Sequence, residues 1–445
     1  MSKSNNTGLP ARRAASGLLG EVLRKNRTLD DALVNSRAAR AMAEMSVRDR
    51  ALARAITSTA LRRKGQLDAV LDRFLDRKLP RRCGPLREIL LGAACQLLFL
   101  DTPDHAAIDL AVRQARQDKN ARHFAPLANA VLRHVAEQGP ALIAAQDAGV
   151  MNTPPWLWQR WVKTYGEENA HRIADAHLSE AALDLTVKGD AQGWAERLGG
   201  VVLDTGSVRL AAHGAIEKLA GFNAGQWWVQ DAAAALPARA LGDVAGKRVA
   251  DLCAAPGGKT AQLAHAGADV TAVDISPRRL ERLHENLTRL GLDAELVAAD
   301  ACLWKPERPF DAVLLDAPCS GTGTLRRHPD IAHLKGEKDI AQLSMLQARL
   351  LRHAVTLLRP GGRLVYCTCS LEHDEGERQI LSLLKEMPDI RVDPIRANEI
   401  CAPGSWLTGD GALRTLPYDL HGGDEKYAGI DGFFAARLKL GNGAD

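Results

Sequence analysis

Cysteine is sparse in this chain. Eight occur in 445 residues, at positions 83, 95, 253, 302, 319, 367, 369 and 401. That spacing is too irregular for a disulfide framework. Cys367-Thr368-Cys369 is a C-x-C, and no second Cys or His pair stands at zinc-finger spacing, so no metal site is expected. Long apolar runs are also missing. A membrane span needs roughly 18–20 apolar residues, whereas the longest candidate, 89–100, is interrupted by Gly92 and Gln96 and reads as a buried helix. The first residues carry neither the apolar segment nor the cleavage site of a signal peptide. A cytoplasmic location with no membrane partner is therefore the expectation. No internal repeat and no low-complexity tract occurs.

Hydrophobic content of 46% and charged content of 25% are ordinary for a globular protein. The length suits two or three domains. The net charge of +4 is unevenly spread. Residues 1–140 hold 25 Lys and Arg against 14 Asp and Glu, a net of +11, and the remainder nets −7. A basic front joined to an acidic back suggests a polyanion-binding module attached to something else; solvated helix faces would give the same imbalance.

The pattern along the chain divides it into three. The first ten residues are polar and expected to be disordered. From Ala11 to about Gln138 the apolar spacing is helical: Leu18, Leu19, Val22 and Leu23 form one stripe, and Ile89, Leu90, Leu91, Ala94, Leu97 and Leu98 a helix apolar on most sides. Residues 1–140 are thus expected to be an all-α bundle. Gly139-Pro140 and Thr153-Pro154-Pro155 punctuate the chain. Residues 141–230 read as a linker helix with Trp156, Trp158 and Trp161, followed by a small α+β unit with short strands near 183–187, 201–203 and 208–210. From 231 to 445, apolar strands near 249–253, 270–273, 295–298, 311–315 and 363–367 alternate with helices, and a last strand covers 432–440. That alternation predicts a multidomain protein ending in an α/β, Rossmann-like, doubly wound parallel sheet.

The first of those strands runs into a glycine-rich turn, Asp251-Leu-Cys253-Ala254-Ala255-Pro256-Gly257-Gly258-Lys259-Thr260. Ligands bind an open α/β sheet at the carboxyl ends of its strands. Gly257 and Gly258 let the backbone approach a ligand closely, and the free N–H groups of a helix start bind a carboxylate or phosphate. The turn is neither the dinucleotide G-x-G-x-x-G nor a P-loop. Acidic residues decide among cofactors. Asp274 stands 16 residues beyond Gly258, at the end of the second strand, where a ribose-binding carboxylate belongs. Asp300 follows the third strand, and Asp251 and Asp316 end the first and fourth. Each alone is more often a cap or turn residue. Together they would repel a pyrophosphate and suit a cationic sulfonium ligand with a ribose.

Cys319, in Asp316-Ala-Pro-Cys-Ser, follows the fourth strand, and Cys369, in Tyr366-Cys-Thr-Cys-Ser, follows the fifth. Both belong to the edge that carries the glycine-rich turn. Carbon 5 of cytosine is a poor nucleophile. A thiolate adding to carbon 6 makes an enamine whose carbon 5 attacks a sulfonium methyl group. Release then needs a base or second thiol nearby, and Asp316 is suited to hydrogen-bond the base at N3 and its amino group. Cys367 alternates with Cys369 and should point into the sheet. Spacing alone does not say which cysteine attacks.

The segments DLCAAPGGKT, AVDIS, DAPCSGTGTLRRHPDI, YCTCS and DGFFAARLKL resemble the signature segments of the RNA 5-methylcytosine methyltransferases, in particular the bacterial 16S ribosomal RNA subfamily. The resemblance spans the whole chain, and the helical front, with Ala128-Asn-Ala-Val-Leu-Arg133, is similar to the NusB-like RNA-binding domain of that subfamily. It implies a class I methyltransferase fold and S-adenosyl-L-methionine as cofactor. It makes Cys369 the nucleophile and Cys319 the residue that aids release. It also implies cofactor contacts from Cys253, Ala254, Ala255, Pro256, Gly257, Gly258, Lys259, Asp274, Asp300 and Asp316, with Lys259 and Asp316 counted as active-site groups too. Where the family often shows Glu-Glu-Asn after Thr-Cys-Ser, this chain has Glu375-Gly376-Glu377.

The implied partner is RNA, 16S rRNA free or in an early small-subunit intermediate, bound by a monomer. Its target cytosine must be unpaired or flipped out. Phosphates would be gripped by the basic helical domain and by Arg326 and Arg327 beyond Cys319. Trp194, Trp227 and Trp228 offer either a stacking surface or core. Two other readings do worse. An RNA-binding assembly factor of the same fold without activity should have lost cysteines or acids, and a dinucleotide oxidoreductase needs a different turn.

Overall fold

The computed structural model describes residues 8–80, 82–211, 214–420 and 424–442. The first seven residues, for which disorder is expected from sequence, lie outside them. The chain forms two compact units. One comprises the chain up to Ser179 together with Leu325–Gly336; the other comprises Glu180–Thr324 and the chain from Glu337 onward.

The first unit is helical, with no strand among its described residues. Its main helices are Leu9–Lys25, Val47–Arg62, Lys64–Arg73, Leu86–Phe99, Asp104–Gln117, Ala125–Ala144, Pro155–Tyr165 and Glu167–His177. Leu86–Phe99 is buried along most of its length, as an all-round apolar helix must be, and packs with Leu18, Leu19 and Val22 of the first helix. Thr28, Ser36 and Ser46 each accept an N–H at a helix start. Gly139-Pro140, read as a break, lies inside the helix Ala125–Ala144. Proline removes one ladder bond there, and the glycine serves packing: a Cβ on Gly139 would come within 2.8 Å of Leu98 Cδ2. Residues 325–336 are fastened into this unit by hydrogen bonds to its helices. Leu29 N–H donates to Asp330 Oδ2 (2.9 Å), Arg62 donates to the Arg326 carbonyl (2.7 Å), and His333 Nε2 meets the Leu61 carbonyl (2.8 Å).

The second unit contains two sheets. The smaller, antiparallel one has β1 (Leu183–Val187), β2 (Val201–Val202), β3 (Val208–Leu210) and β4 (Trp227–Val229), in the order β2-β3-β1-β4. Trp227 and Trp228 are 0% and 4% exposed, with indole N–H groups donating to the Ala220 carbonyl and to Gln230 Oε1. They are core, not a stacking surface.

The larger sheet has β5 (Arg248–Leu252), β6 (Asp269–Asp274), β7 (Glu295–Ala298), β8 (Phe310–Asp316), β9 (Leu358–Thr368), β10 (Ile390–Val392), β11 (Leu413–Thr415) and β12 (Phe433–Leu440). Its order is β10-β12-β9-β8-β5-β6-β7, with β11 also paired to β12. β5 to β9 are parallel, as the strand–helix alternation predicts. β12 lies antiparallel between β9 and β10, so the sheet is mixed. The short strands β10 and β11 have no alternating stretch long enough to signal them in sequence. The helix Pro277–Leu290 shows how the layers are held. Ser276 caps it, Leu280, Leu283, Leu287 and Leu290 form its buried stripe, and Gly291 ends it in the left-handed region.

Candidate active site

Register places the site. Leu252 of β5 pairs with Val273 of β6 and Leu315 of β8; Val273 pairs with Val297 of β7, and Leu315 with Tyr366 of β9. Five parallel strands therefore end level. Cys253, Asp274, Asp300, Asp316 and Cys369 all lie on or just beyond this one edge.

The glycine-rich turn is built against β6. Ala254 N–H donates to the Val273 carbonyl at 3.0 Å, and Ala255 N–H to Asp274 Oδ2 at 3.2 Å. Gly257 sits at φ 101°, and a Cβ there would lie 2.7 Å from Leu283 Cγ. Only glycine fits both the torsion and the space. The buried Asp274 also accepts Ser276 N–H (2.9 Å) and pairs with Arg279 (3.2 Å). Asp300 is partly exposed, and its Oδ1 accepts Cys302 N–H at 2.9 Å.

Asp251 stands beneath the turn rather than on its rim. It is fully buried; Oδ2 accepts the Thr260 hydroxyl at 2.6 Å and Oδ1 has no hydrogen-bond partner. Burial pushes its carboxyl up to about 7, against the pull of Thr260. Burial likewise raises the Cys253 thiol. A glycine cradle, a carboxylate at the end of β6 and an orphaned buried acceptor fit a ligand that carries hydroxyls and positive charge.

Lys259, at the start of the helix Gly258–His265, is 8% exposed and donates to Asp316 Oδ2 at 2.7 Å. Burial opposes its charge, but Asp316 and the neighbouring acidic groups prevail and its pKa is raised, so the ammonium persists. Asp316 Oδ1 is met by the Cys367 thiol at 3.5 Å. Cys367, expected to point into the sheet, is buried and touches the site from beneath.

Cys319 and Cys369 are brought together, with Sγ atoms 3.4 Å apart. The Cys319 thiol is pushed well above its ordinary value, first by its hydrogen bond to Cys369 and then by burial. Their loops are stitched by backbone: Gly323 N–H donates to the Cys369 carbonyl (3.1 Å), and Gly432 N–H to the Gly323 carbonyl (2.8 Å). A Cβ on Gly323 would lie 1.9 Å from the Gly432 oxygen, so the approach requires glycine.

Two expectations change. Arg326 is 3% exposed within the helical unit, so its guanidinium is not at the surface to hold RNA; Arg327 is partly exposed. Glu375, noted in sequence only as part of a departure from the family pattern, is fully buried and hydrogen-bonded to Ser320 and Ser370, the residues after the two cysteines. Its signal was a carboxylate six residues beyond Cys369, but nothing in the pattern tells a buried carboxylate from an exposed one. Among the described residues, no cluster of His, Cys, Asp and Glu is arranged to hold a metal, and no helix is long and apolar enough to cross a membrane.

Residues 238–439 match the family described as 16S rRNA methyltransferase RsmB/F, and residues 9–137 match the NusB family. The chain is 37% identical over 411 residues to ribosomal RNA small subunit methyltransferase B of Xanthomonas campestris pv. campestris, covering 88% of this chain and 91% of that one. A methyltransferase homologue from Pyrococcus horikoshii of known structure is 30% identical with a TM-score of 0.52, covering 63% of this chain and 93% of that one. The crystal structure of the protein PH0851 shares the fold over 97% of this chain and 98% of that one, with a TM-score of 0.74 and 23% identity.

Proposed function

This chain belongs to the RsmB/F family of 16S rRNA methyltransferases, and from that premise we propose that it methylates carbon 5 of a cytosine in 16S rRNA through a covalent adduct between Cys369 and carbon 6. It is an S-adenosylmethionine-dependent rRNA methyltransferase with a NusB-family domain at its front. The observation that carries the finer reading is the pair of thiols 3.4 Å apart at the strand edge, beside the Lys259–Asp316 pair.

S-adenosylmethionine supplies the methyl group. The turn Cys253-Ala254-Ala255-Pro256-Gly257-Gly258-Lys259 would hold it, with Asp274 on the ribose, Asp300 toward the adenine and Asp316 near the reacting end. Asp251, beneath the turn, has an acceptor to spare for a positively charged group.

Cys369, in the Thr-Cys-Ser segment, is the attacking group, as the family resemblance implies, and Cys319 stands 3.4 Å from it. Asp316, held by Lys259, orients the cytosine by accepting from its amino group. Addition of the Cys369 thiolate to carbon 6 makes carbon 5 nucleophilic. After methyl transfer, carbon 5 must lose its proton and the carbon 6–sulfur bond must break. Once the Cys369 sulfur is bonded to carbon, its hydrogen bond no longer helps raise the Cys319 pKa. Cys319 then ionises more readily and is placed to accept the carbon 5 proton.

The basic helical front supplies the salt-dependent grip on RNA. Free 16S rRNA or an early small-subunit intermediate is the proposed substrate, because the target base must be unpaired or flipped.

The test is Cys369→Ala. It should abolish methyl transfer to 16S rRNA, read by bisulfite sequencing, while binding of S-adenosylhomocysteine stays within about twofold. Retained 5-methylcytosine would overturn the adduct.

A further inference from the structure

We infer that Glu375 is the positioning residue that sets the separation of the two active-site thiols, by binding the residue that follows each of them. Glu375 ends the turn His373–Glu375 after β9 and is fully buried. Its Oε1 accepts Ser320 N–H at 2.9 Å and Gln347 Nε2–H at 3.0 Å. Its Oε2 accepts the Ser370 hydroxyl at 2.6 Å, the Ser320 hydroxyl and, at 3.2 Å, Ser320 N–H. Ser320 and Ser370 immediately follow Cys319 and Cys369. The clamp also reaches the other side of Cys319, because Gln347 donates to the Pro318 carbonyl at 2.9 Å.

The turn is itself anchored to β9. The Glu375 carbonyl accepts the Tyr366 hydroxyl at 2.7 Å and the Thr368 hydroxyl at 3.3 Å. One rigid carboxylate thus joins β9, the Cys369 loop and the Cys319 loop. All its partners are donors. Charge-assisted bonds of this kind offset the cost of burying the carboxylate. An amide in its place would aim two N–H groups at donors, so shape alone does not preserve the clamp. Glu375 hydrogen-bonds the residues after the two cysteines and places the sulfurs through them, while its charge adds to the rise of the Cys319 pKa.

The functional consequence rests on the proposal that both cysteines act in turn, but the clamp itself can be measured without methylation. In the full-length protein, diamide takes two electrons and two protons from Cys319 and Cys369 and leaves a disulfide. The rate depends on how closely the thiols are held, and the linked peptides identify the pair. Glu375→Gln should slow this cross-link at least about tenfold while S-adenosylhomocysteine binding stays within about twofold. The turnover number should fall by about 100-fold, the scale of a 1 Å misplacement, with KM for RNA little changed. Should Glu375→Gln fail to fold, Ser370→Ala, which removes one bond of the clamp, should slow the cross-link about threefold or more. A folded variant that cross-links at the wild-type rate overturns the clamp. Slowed cross-linking alongside methylation by a Cys369→Ala enzyme would leave the clamp standing and remove only the nucleophile assignment.

Discussion

Lys259, in the helix that follows β5, and Asp316, the last residue of the neighbouring β8, meet with Nζ 2.7 Å from Oδ2. The lysine is nearly buried, and the aspartate is 35% exposed at its side chain. The lysine thus fixes an acid that stays partly exposed at the end of β8, three residues before Cys319. The Phe433 ring beneath Nζ, 5.1 Å away, closes that corner.

Substitution of either partner should separate binding from chemistry. Asp316→Asn keeps the shape and loses the charge that holds Lys259, and methyl transfer should drop by about 100-fold or more, the usual scale for removing a group that orients or polarises a reacting atom. Lys259→Met should cost about 1–3 kcal/mol of stability, because it leaves Asp316 without its charged donor. Kinetics and thermal melts of both variants check this; wild-type turnover in Asp316→Asn would show that the acid does not meet the base.

Removing Cys319 should trap the reaction rather than prevent it. Cys319→Ala leaves Cys369 able to attack and takes away the group placed to accept the carbon 5 proton. A protein–RNA adduct that survives denaturing gels should accumulate, and Cys319→Ala with Cys369→Ala should show none. Rapid product release by the single variant would exclude the role.

Asp251 makes the cofactor-free protein less stable as pH rises. Its folded pKa, about 7, lies above the unfolded value of about 3.9. Between these values the folded state keeps a proton that the unfolded state gives up, so stability conferred by the neutral form is full below about pH 4 and is lost as pH climbs toward 7. Asp251→Asn removes this dependence. Urea melts at pH 5 and pH 8 should show the wild type losing roughly 1–4 kcal/mol relative to the variant over that interval. Parallel loss in the two proteins would rule it out.

Within the small sheet, β1 and β3 are joined by a buried ion pair. Arg209 donates from Nε and from an Nη to the two Asp184 oxygens at 2.6 and 2.7 Å, and both side chains are essentially inaccessible. Arg209 also donates to the Tyr427 and Gly429 carbonyls. Asp184→Ala should destabilise the protein by about 3–5 kcal/mol, because it strands a buried guanidinium. Asp184→Leu with Arg209→Met should recover part of that loss. Equal melts for the single variant and wild type would contradict this.

The strands that carry the site were legible in the sequence because β5 to β9 contain apolar stretches and because helices separate β5 from β6, β6 from β7 and β8 from β9. The carboxylates and thiols could be placed at one edge because parallel strands share a carboxyl end. Other features depended on the third dimension. Gly139-Pro140 reads as punctuation, yet the glycine is there to admit Leu98. Arg326 reads as a phosphate ligand because a charge on a loop is taken to be wet, and tertiary packing buries it. Glu375 is indistinguishable in sequence from its exposed neighbour Glu386, since its donors come from residues 320, 347 and 370.

The passage of Leu325–Gly336 through the helical unit bears on how the protein is made. The chain crosses between the units three times, at 179/180, 324/325 and 336/337. A single proteolytic cut cannot release either unit, and the helical one is incomplete until residue 336 has left the ribosome. By then β1 to β8 have already emerged, so the last segment of the helical unit is added only after much of the other unit has been synthesised, a departure from strict N-terminal-first completion. A fragment of residues 1–179 should therefore lose hydrogen-exchange protection at the Leu29 amide, whose acceptor, Asp330, is synthesised some three hundred residues later.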